Sequence, residues 1–439
     1  MSDEARVKTK PEANAKALLP IGIFLLLYLG SGIYFEYIRP AEGGMGFYIM
    51  SVTVAFGIAL IAAFLQNRSL SFDEKIHICA QGIGDDNITI MLLIFLLAGA
   101  FGGIAGAAGG AVNTANMLLN IIPARFAVSG LFIIACLISM AMGTSVGTIT
   151  VLVPIAAAVA KNGGLSLPMC VGTVVGGAMF GDNLSVISDT TIAATKTQGV
   201  EMKDKFLTNI RIALPAALAT LAVLIALSFG SKPVAVGEFE FNALLAVPYF
   251  VVLVLALLGL NVFLVLLIGV LLYLAAGLMF GSLDLPTAFA AMGNGTSGMF
   301  ETMVVTILVA SISSLMRENG GFEWILGFIR RHFNGRRGGM LGISLLTAFM
   351  DVATANNTIA IVVAAPMARD ISREFGVSGK MTASLLDTSS CIAQGIIPYG
   401  AQLLIAAGLT GISSLAIIPW LFYPFLLMIF VAAAILRAK

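Results

Sequence analysis

The chain has 439 residues, of which 59% are hydrophobic and 11% charged, with a formal net charge of +1. A soluble domain carries about 25% charged residues, so this composition reads as an all-α polytopic membrane protein, and the near-neutral balance argues against a nucleic-acid partner. The four cysteines form no CxxC, and the two histidines are His77 and His332. With no metal knuckle, Walker A loop or Ser/His/Asp set, neither a cofactor nor an enzyme activity is expected.

A helical crossing takes roughly 20 apolar residues. Read in chain order, residues 1–68 hold an N-terminal tail and two transmembrane helices, at about 17–35 and 47–66. The first run follows Arg6, Lys8, Lys10 and Lys16 and could mimic a signal peptide. It is long and followed by many similar runs, so it reads as a retained helix. A first repeat, 69–229, contains spans at 88–107 and 207–229, a hairpin at 126–160 and a broken helix at 168–195. A linker with scaffold helices, 230–281, offers two apolar spans (243–259 and 261–281) and is the expected contact of a homodimer. A second repeat, 282–439, contains spans at 299–316 and 411–436, a hairpin at 338–369 and a broken helix at 380–407. The total is about 10 full spans plus two hairpins. Each hairpin is apolar on both sides of a polar, Gly- or Asn-rich middle, and each half is short for a crossing. Such re-entrant backbone is tolerated only where protein or a wet cavity covers it. Gly172, Gly176, Gly103, Gly106, Gly109 and Gly110 read as helix-packing positions.

Lys and Arg collect in short cytoplasmic loops. The basic places are the N-terminus, 196–211 (Lys196, Lys203, Lys205, Arg211), 317–337 (Arg317, Arg330, Arg331, Arg336, Arg337) and the end (Arg437, Lys439). Two hairpins that return to their own side put all four on one face, so both termini are expected in the cytoplasm. The first unit then starts inside and the second outside, as inverted-topology repeats do. Thr148-Ile149-Thr150 against Thr358-Ile359-Ala360, and Ile192-Ala193-Ala194 against Ile405-Ala406-Ala407, keep the same order in both units.

The buried polarity gathers in two stretches. In the first, Gly181-Asp182-Asn183 is expected to interrupt a helix, while Asp182, Ser185 and Asp189 share a face if the helix continues. In the second, Asp387, Ser390 and Gln394 repeat that spacing before Pro398. The hairpin tips add Thr144, Ser145 and Thr148 on one side, and Asp351, Thr354, Asn356, Asn357 and Thr358 on the other. Intramembrane carboxylates are costly and usually mark an ion or substrate path. Broken helices free carbonyls that, with Ser, Thr and Asn oxygens, replace the water around Na+. The expected Na+ ligands are Asp182, Asp189, Asp387 and Asn356. The expected core contains four unpaired acids and no Lys or Arg, which favours a cation or proton. A carboxylate removed from water favours its neutral form, so one Asp can hold H+ or Na+ in turn, and that competition couples the two fluxes. A single Ser or Thr in a membrane helix ordinarily bonds back to its own backbone; the reading rests on the carboxylates beside helix breaks.

The segment GDNLSVISDTTIAATKTQGVEMKDKF, from Gly181 to Phe206, resembles the GDxxSxxSDTT segment of the NhaC-type Na+/H+ antiporter family, within the ion transporter superfamily. Asp351 to Asn357 and Leu386-Asp387-Thr388 carry a softer match, and the general organisation covers most of the chain. The resemblance implies inverted repeats, two hairpins, broken helices, an elevator-type carrier and dimerisation. It implies Asp182, Ser185, Ser188, Asp189 and Thr190 as site residues, with Thr388 beside Asp387. The tips read Thr144-Ser-Val and Ala355-Asn-Asn and lack the Ser-Asn-Thr triplet of related dicarboxylate carriers. The leading expectation is a secondary antiporter of the bacterial inner membrane, coupled to Na+ and/or H+. The alternative is an ion-coupled carrier of a small organic solute, such as an amino acid or hydroxy-carboxylate, oriented by Asn356, Asn357, Gln394, Tyr399 and Gln402. A passive channel fits less well, because the polarity is concentrated at mid-depth.

Overall fold

In a computed structural model of the chain, the structure describes residues 11–39, 46, 49–229, 240–258, 260–354, 356–398 and 400–438. Tyr399, Ala355 and Gly259 lie outside them. The regular elements among the described residues are helical. The N-terminal group is α1 (Leu19–Ile33), α2 (Val52–Leu65), α3 (Phe72–Ile83), α4 (Asp86–Ala107) and α5 (Gly110–Leu119). A helical hairpin, α6 (Ala127–Met142) and α7 (Ser145–Gly163), precedes an interrupted helix, α8 (Leu167–Leu184) and α9 (Asp189–Gln198). After α10 (Met202–Ile210) and α11 (Ala213–Phe229) come α12 (Ala243–Leu257), α13 (Val262–Met279), α14 (Leu285–Gly298), α15 (Phe300–Glu318) and α16 (Gly321–His332). A second hairpin, α17 (Gly335–Thr354) and α18 (Asn357–Glu374), precedes a second interrupted helix, α19 (Gly379–Ile396) and α20 (Ala401–Thr410). The last elements are α21 (Ser414–Ile417) and α22 (Phe422–Arg437).

Local chemistry sets the tips and breaks. Gly143 takes a left-handed φ of +73° and ends α6, a conformation that suits a residue without Cβ. Thr144 then caps α7 by accepting from the Gly147 amide at 3.3 Å. Asn356 caps α18 through Ile359 N at 3.1 Å. Ser188 caps α9 through Thr191 N at 3.2 Å. Pro398 has no amide hydrogen to continue α19, and α20 resumes at Ala401.

The first break departs from the sequence expectation. Gly181-Asp182-Asn183 stays helical, and the chain turns extended at Ser185 (φ −62°, ψ 142°). Gly181 fits against the Cys136 carbonyl of α6, and the Asp182 and Asn183 side chains find partners elsewhere in the fold, so nothing pulls that turn open. Asp182, Ser185 and Asp189 therefore do not share one helical face; they line two helix ends that meet at a gap. The hairpin halves are also longer than expected for the second hairpin, 20 and 18 residues, because α17 begins early, at the charged Gly335-Arg336-Arg337.

Five helical stretches among the described residues are long and apolar enough to cross a bilayer: Ala15–Ile33, Ile88–Ala107, Leu167–Gln198, Leu285–Glu318 and Gly379–Thr410. Two bent pairs bring the total to seven: α10 with α11, at 45°, and α21–α22 with its short lead, at 54°. Val52–Leu65, Ala127–Met142, Ser145–Lys161, Ala243–Leu255 and Phe263–Met279 are apolar but shorter. The most apolar window of α8–α9 is wholly buried, against 28% for the first helix, so protein rather than lipid surrounds the break.

Close backbone approach holds this centre. A Cβ on Gly177 would lie 2.6 Å from the Phe132 carbonyl of α6. Gly172 abuts Trp420 and Gly176 abuts Tyr423, while Gly99 and Gly103 of α4 meet Gly295 and Ala291 of α14. Gly172, Gly176 and Gly103 pack as expected, whereas Gly106 has open space around it. Gly177→Leu should therefore lower the thermal unfolding midpoint in detergent by an overpacking cost of about 1–3 kcal/mol or more. Gly22→Ala, where a Cβ meets nothing within 4 Å, should leave the midpoint unchanged or slightly raised.

Candidate functional site

The α8–α9 gap brings an unpaired C-terminal turn of carbonyls against a helix N-terminus inside the molecule. The four orphan groups at each helix end must find partners, and in an apolar interior those partners must come from protein. Ser188 and Thr191 supply the local ones: Ser188 caps α9, and Thr191 Oγ1 donates to the Ser185 carbonyl at 2.8 Å. Ser185 Oγ donates to Met140 O of α6 at 3.0 Å.

Asp182, 3% exposed, is the hub of the first half. Its Oδ1 accepts from Thr190 Oγ1 at 3.0 Å and its Oδ2 from Ser145 Oγ at 3.0 Å, so the tip of the first hairpin touches both sides of the gap through one carboxylate. Ser145 Oγ in turn accepts from Gln402 Nε2 of α20 at 3.2 Å. Asp189, partly exposed, accepts from its neighbour Thr190 N at 2.9 Å and from Thr358 Oγ1 at 2.8 Å. Thr358 sits at the tip of the second hairpin. Both tips thus reach the first interrupted helix.

Asp387 on α19 is 1% exposed, and its Oδ2 lies 2.8 Å from Lys205 Nζ and 2.9 Å from Asn209 Nδ2. Lys205 is fully buried. The expectation of a core without a fixed cation is thereby corrected: Lys205, read as one of a basic cytoplasmic group, enters the site. The physical reason is the 45° bend between α10 and α11. It makes α10 a separate helix whose buried face carries Met202, Lys205 and Asn209, while Lys203 and Asp204 point outward. Lys205 and Asn209 also donate to the Asn183 carbonyl, at 2.7 and 2.8 Å. The carbonyl expected to be open for Na+ at this break is already taken. Asn183's own amide donates to Tyr423 Oη at 2.8 Å and to Cys391 Sγ at 3.1 Å.

The other candidates divide. Asp351 is fully buried on α17, and no hydrogen-bond donor among the described residues reaches either carboxylate oxygen; it lies within electrostatic reach of Cys391, as do Asp182 and Asp387. Gln394 is buried on α19. Thr148, Thr354, Thr388 and Ser390 bond to nearby backbone carbonyls. Thr144, Asn356 and Asn357 accept from backbone amides of their own turns. These seven shape tips and helices rather than facing the carboxylates. Sequence reasoning missed Lys205, Asn209, Ser384 (which donates to Asn209 Oδ1) and Tyr423. The signal available was the i, i+3, i+7 spacing of Met202, Lys205 and Asn209, one stripe of a helix.

Among the described residues no three His, Cys, Asp or Glu side chains converge as a metal cluster, so a cation here must draw on hydroxyls and carbonyls as well as carboxylate. Counting Lys205, three of the four carboxylates lack a basic partner among the described residues: Asp182, Asp189 and Asp351. One cavity reaches this centre and another opens away from it. One, of about 350 Å³, touches Val186 in the gap and is lined by Lys196, Glu201 and Lys203. The other, of about 320 Å³, opens at the far ends of α9 and α18 beside Thr197, Arg317 and Arg369.

The sequence profile of the Na+/H+ antiporter family matches residues 19–231 and 196–438. The malate-2H(+)/Na(+)-lactate antiporter of Bacillus subtilis is 22% identical over 444 aligned residues, covering 93% of this chain and 91% of that protein. The Na(+)/H(+) antiporter NhaC of Alkalihalophilus pseudofirmus is 20% identical over 69% of this chain and 72% of that protein. In solved structures, the YdaH transporter of Alcanivorax borkumensis has a similar fold, with a TM-score of 0.63 at 12% identity, covering 96% of this chain and 98% of that one.

Asn209→Leu removes a donor from Asp387 and from the Asn183 carbonyl and an acceptor from Ser384, and should cost about 1–3 kcal/mol for each group left bare. Thr148→Val removes a hydroxyl bonded to its own helix and should change stability by no more than about 0.5–1.5 kcal/mol. Thermal unfolding of the two variants side by side checks the order.

Proposed function

Since the chain belongs to the Na+/H+ antiporter family, we propose that it is a secondary antiporter that exchanges Na+ for H+ at the carboxylates of the α8–α9 break. The observation that carries this reading is an excess of acids over bases at the break: Asp182, Asp351 and Asp387 buried and Asp189 partly exposed, against Lys205. Charge removed from water must be compensated. A proton on Asp182 compensates it by neutralising the group. A Na+ ion compensates it by pairing, with the Ser145 and Thr190 hydroxyls turned to offer lone pairs. The two cannot occupy the carboxylate together, so each turnover that brings one in releases the other.

Asp182 is the cargo group in this reading. Asp189 and Thr358 report the state of that site to the second hairpin, and Ser145 with Gln402 reports it to the second interrupted helix. Each half of the chain contributes one hairpin and one interrupted helix, which supports two inverted repeats that move as a carrier does, by exposing a fixed site alternately. We place the protein in a bacterial inner membrane with both termini in the cytoplasm and as a homodimer through the α12–α13 region, on the charge pattern and the apolar surface of those helices.

A second reading has a specific observation behind it. Among the described residues no hydrogen-bond partner reaches Ser389 Oγ or Gln402 Oε1, both buried in the second interrupted helix. This polar capacity exceeds what a bare cation needs and suits a hydroxy-carboxylate, the cargo named for the Bacillus subtilis relative.

In sealed proteoliposomes with a pH dye and clamped voltage, Na+ should drive proton movement, and Asp182→Asn should abolish it while the protein stays folded. Wild-type flux in Asp182→Asn would reject the cargo role of that carboxylate. No response to Na+, Li+ or K+ in tight vesicles, together with thermal stabilisation by malate or lactate, would favour the organic-solute reading.

A further inference from the structure

We propose that Lys205 is a built-in monovalent cation: its ammonium fills an oxygen site formed by Asp387, Asn183 and Thr191 that accepts Na+ or Li+ once the lysine is removed. The consequence for exchange, which rests on the antiport reading above, is that Asp387 carries no cargo ion.

Nζ lies 2.8 Å from Asp387 Oδ2, 2.7 Å from the Asn183 carbonyl and 2.6 Å from Thr191 Oγ1. An ammonium has three N–H bonds, and here each has one acceptor. Thr191 gives its own proton to the Ser185 carbonyl, so it turns a lone pair toward the lysine. One carboxylate, one carbonyl from the last turn of a helix and one hydroxyl are the oxygen types that interrupted helices offer to Na+. The carbonyl end of α8 adds the negative pole of its dipole.

The cradle does not depend on the lysine alone. Asn209 Nδ2 holds Asp387 Oδ2 and the Asn183 carbonyl at 2.9 and 2.8 Å, and Asn209 Oδ1 is held by Ser384. Two of the three oxygens therefore keep a second tether when the ammonium is gone. Lys75 provides the contrast. It sits on the Phe64 and Gln66 carbonyls at 2.7 Å each, at the end of α2, without a carboxylate among those partners. That is an ordinary helix-end cap; what sets Lys205 apart is Asp387.

The test is thermal unfolding of the full chain in detergent, in choline chloride, NaCl and LiCl at equal ionic strength. Lys205→Ala should unfold at a lower temperature than the native protein in choline. Na+ or Li+ should then raise its midpoint by several degrees beyond any rise in the native protein, as ligand linkage requires. That extra rise should vanish in Lys205→Ala/Asp387→Asn, and the native Na+ response should survive in this double variant. A Lys205→Ala response no larger than the native one overturns the proposal, and so does loss of the native response in the double variant. If Lys205→Ala folds only when purified in NaCl, the proposal stands. If it folds in neither salt, Na+ does not replace the ammonium and the proposal is overturned. A native protein without a Na+ response beside a Lys205→Ala protein that has one would reject Na+/H+ exchange and leave the built-in cation in place.

Discussion

A helix interrupted inside an apolar interior strips hydrogen bonds from several peptide groups at once, and the gap between α8 and α9 does this within the most buried of the candidate spans. In an apolar interior their new partners come from protein. The convergence of distant elements on this gap follows from that constraint. The first hairpin sends Ser145, the second Thr358, α10 sends Lys205 and Asn209, and α22 sends Tyr423. Each contact satisfies a group that the break left open or a side chain that fills it.

The gap also explains why chemistry is concentrated in so few residues. A carboxylate can accept from several donors at once, so Asp182 bridges Thr190 and Ser145 across the two helix ends. In the exchange proposed above the same carboxylate takes the proton or the cation, so structural cohesion and cargo binding fall on one group. Gly177 and Gly181 hold α8 against α6 by backbone contact, the close approach that small residues permit.

Much of this was legible in the sequence, and the failures have a common physical cause. Pro398 marks the second break because a missing amide hydrogen is a local property, and the polar, Gly- or Asn-rich middles of two apolar stretches mark the tips. Asp182, Asp189 and Asp387 stood out because carboxylates are rare in apolar segments. Lys205 did not, since it sits among Lys203, Asp204 and Glu201 and a charge run reads as solvated. Its burial depends on the angle between α10 and α11, which no local rule supplies. The position of the first break was missed for a related reason: glycine at 181 signals a weak helix in isolation, yet the contact with α6 makes it the residue that fits. Asn356, expected as an ion ligand, caps its own helix instead, because a tip must start a helix before it can bind anything.

The pair between α10 and α19 joins residues far apart in the chain; Asn209 and Asp387 are separated by 178 positions. At roughly 5–20 residues per second of synthesis, the lysine and asparagine emerge on the order of ten seconds or more before their carboxylate. During that interval the Lys205 ammonium lacks its Asp387 partner, while its bond to the Asn183 carbonyl lies within the first half. The buried face of α10 therefore completes its contacts only once α19 has been made.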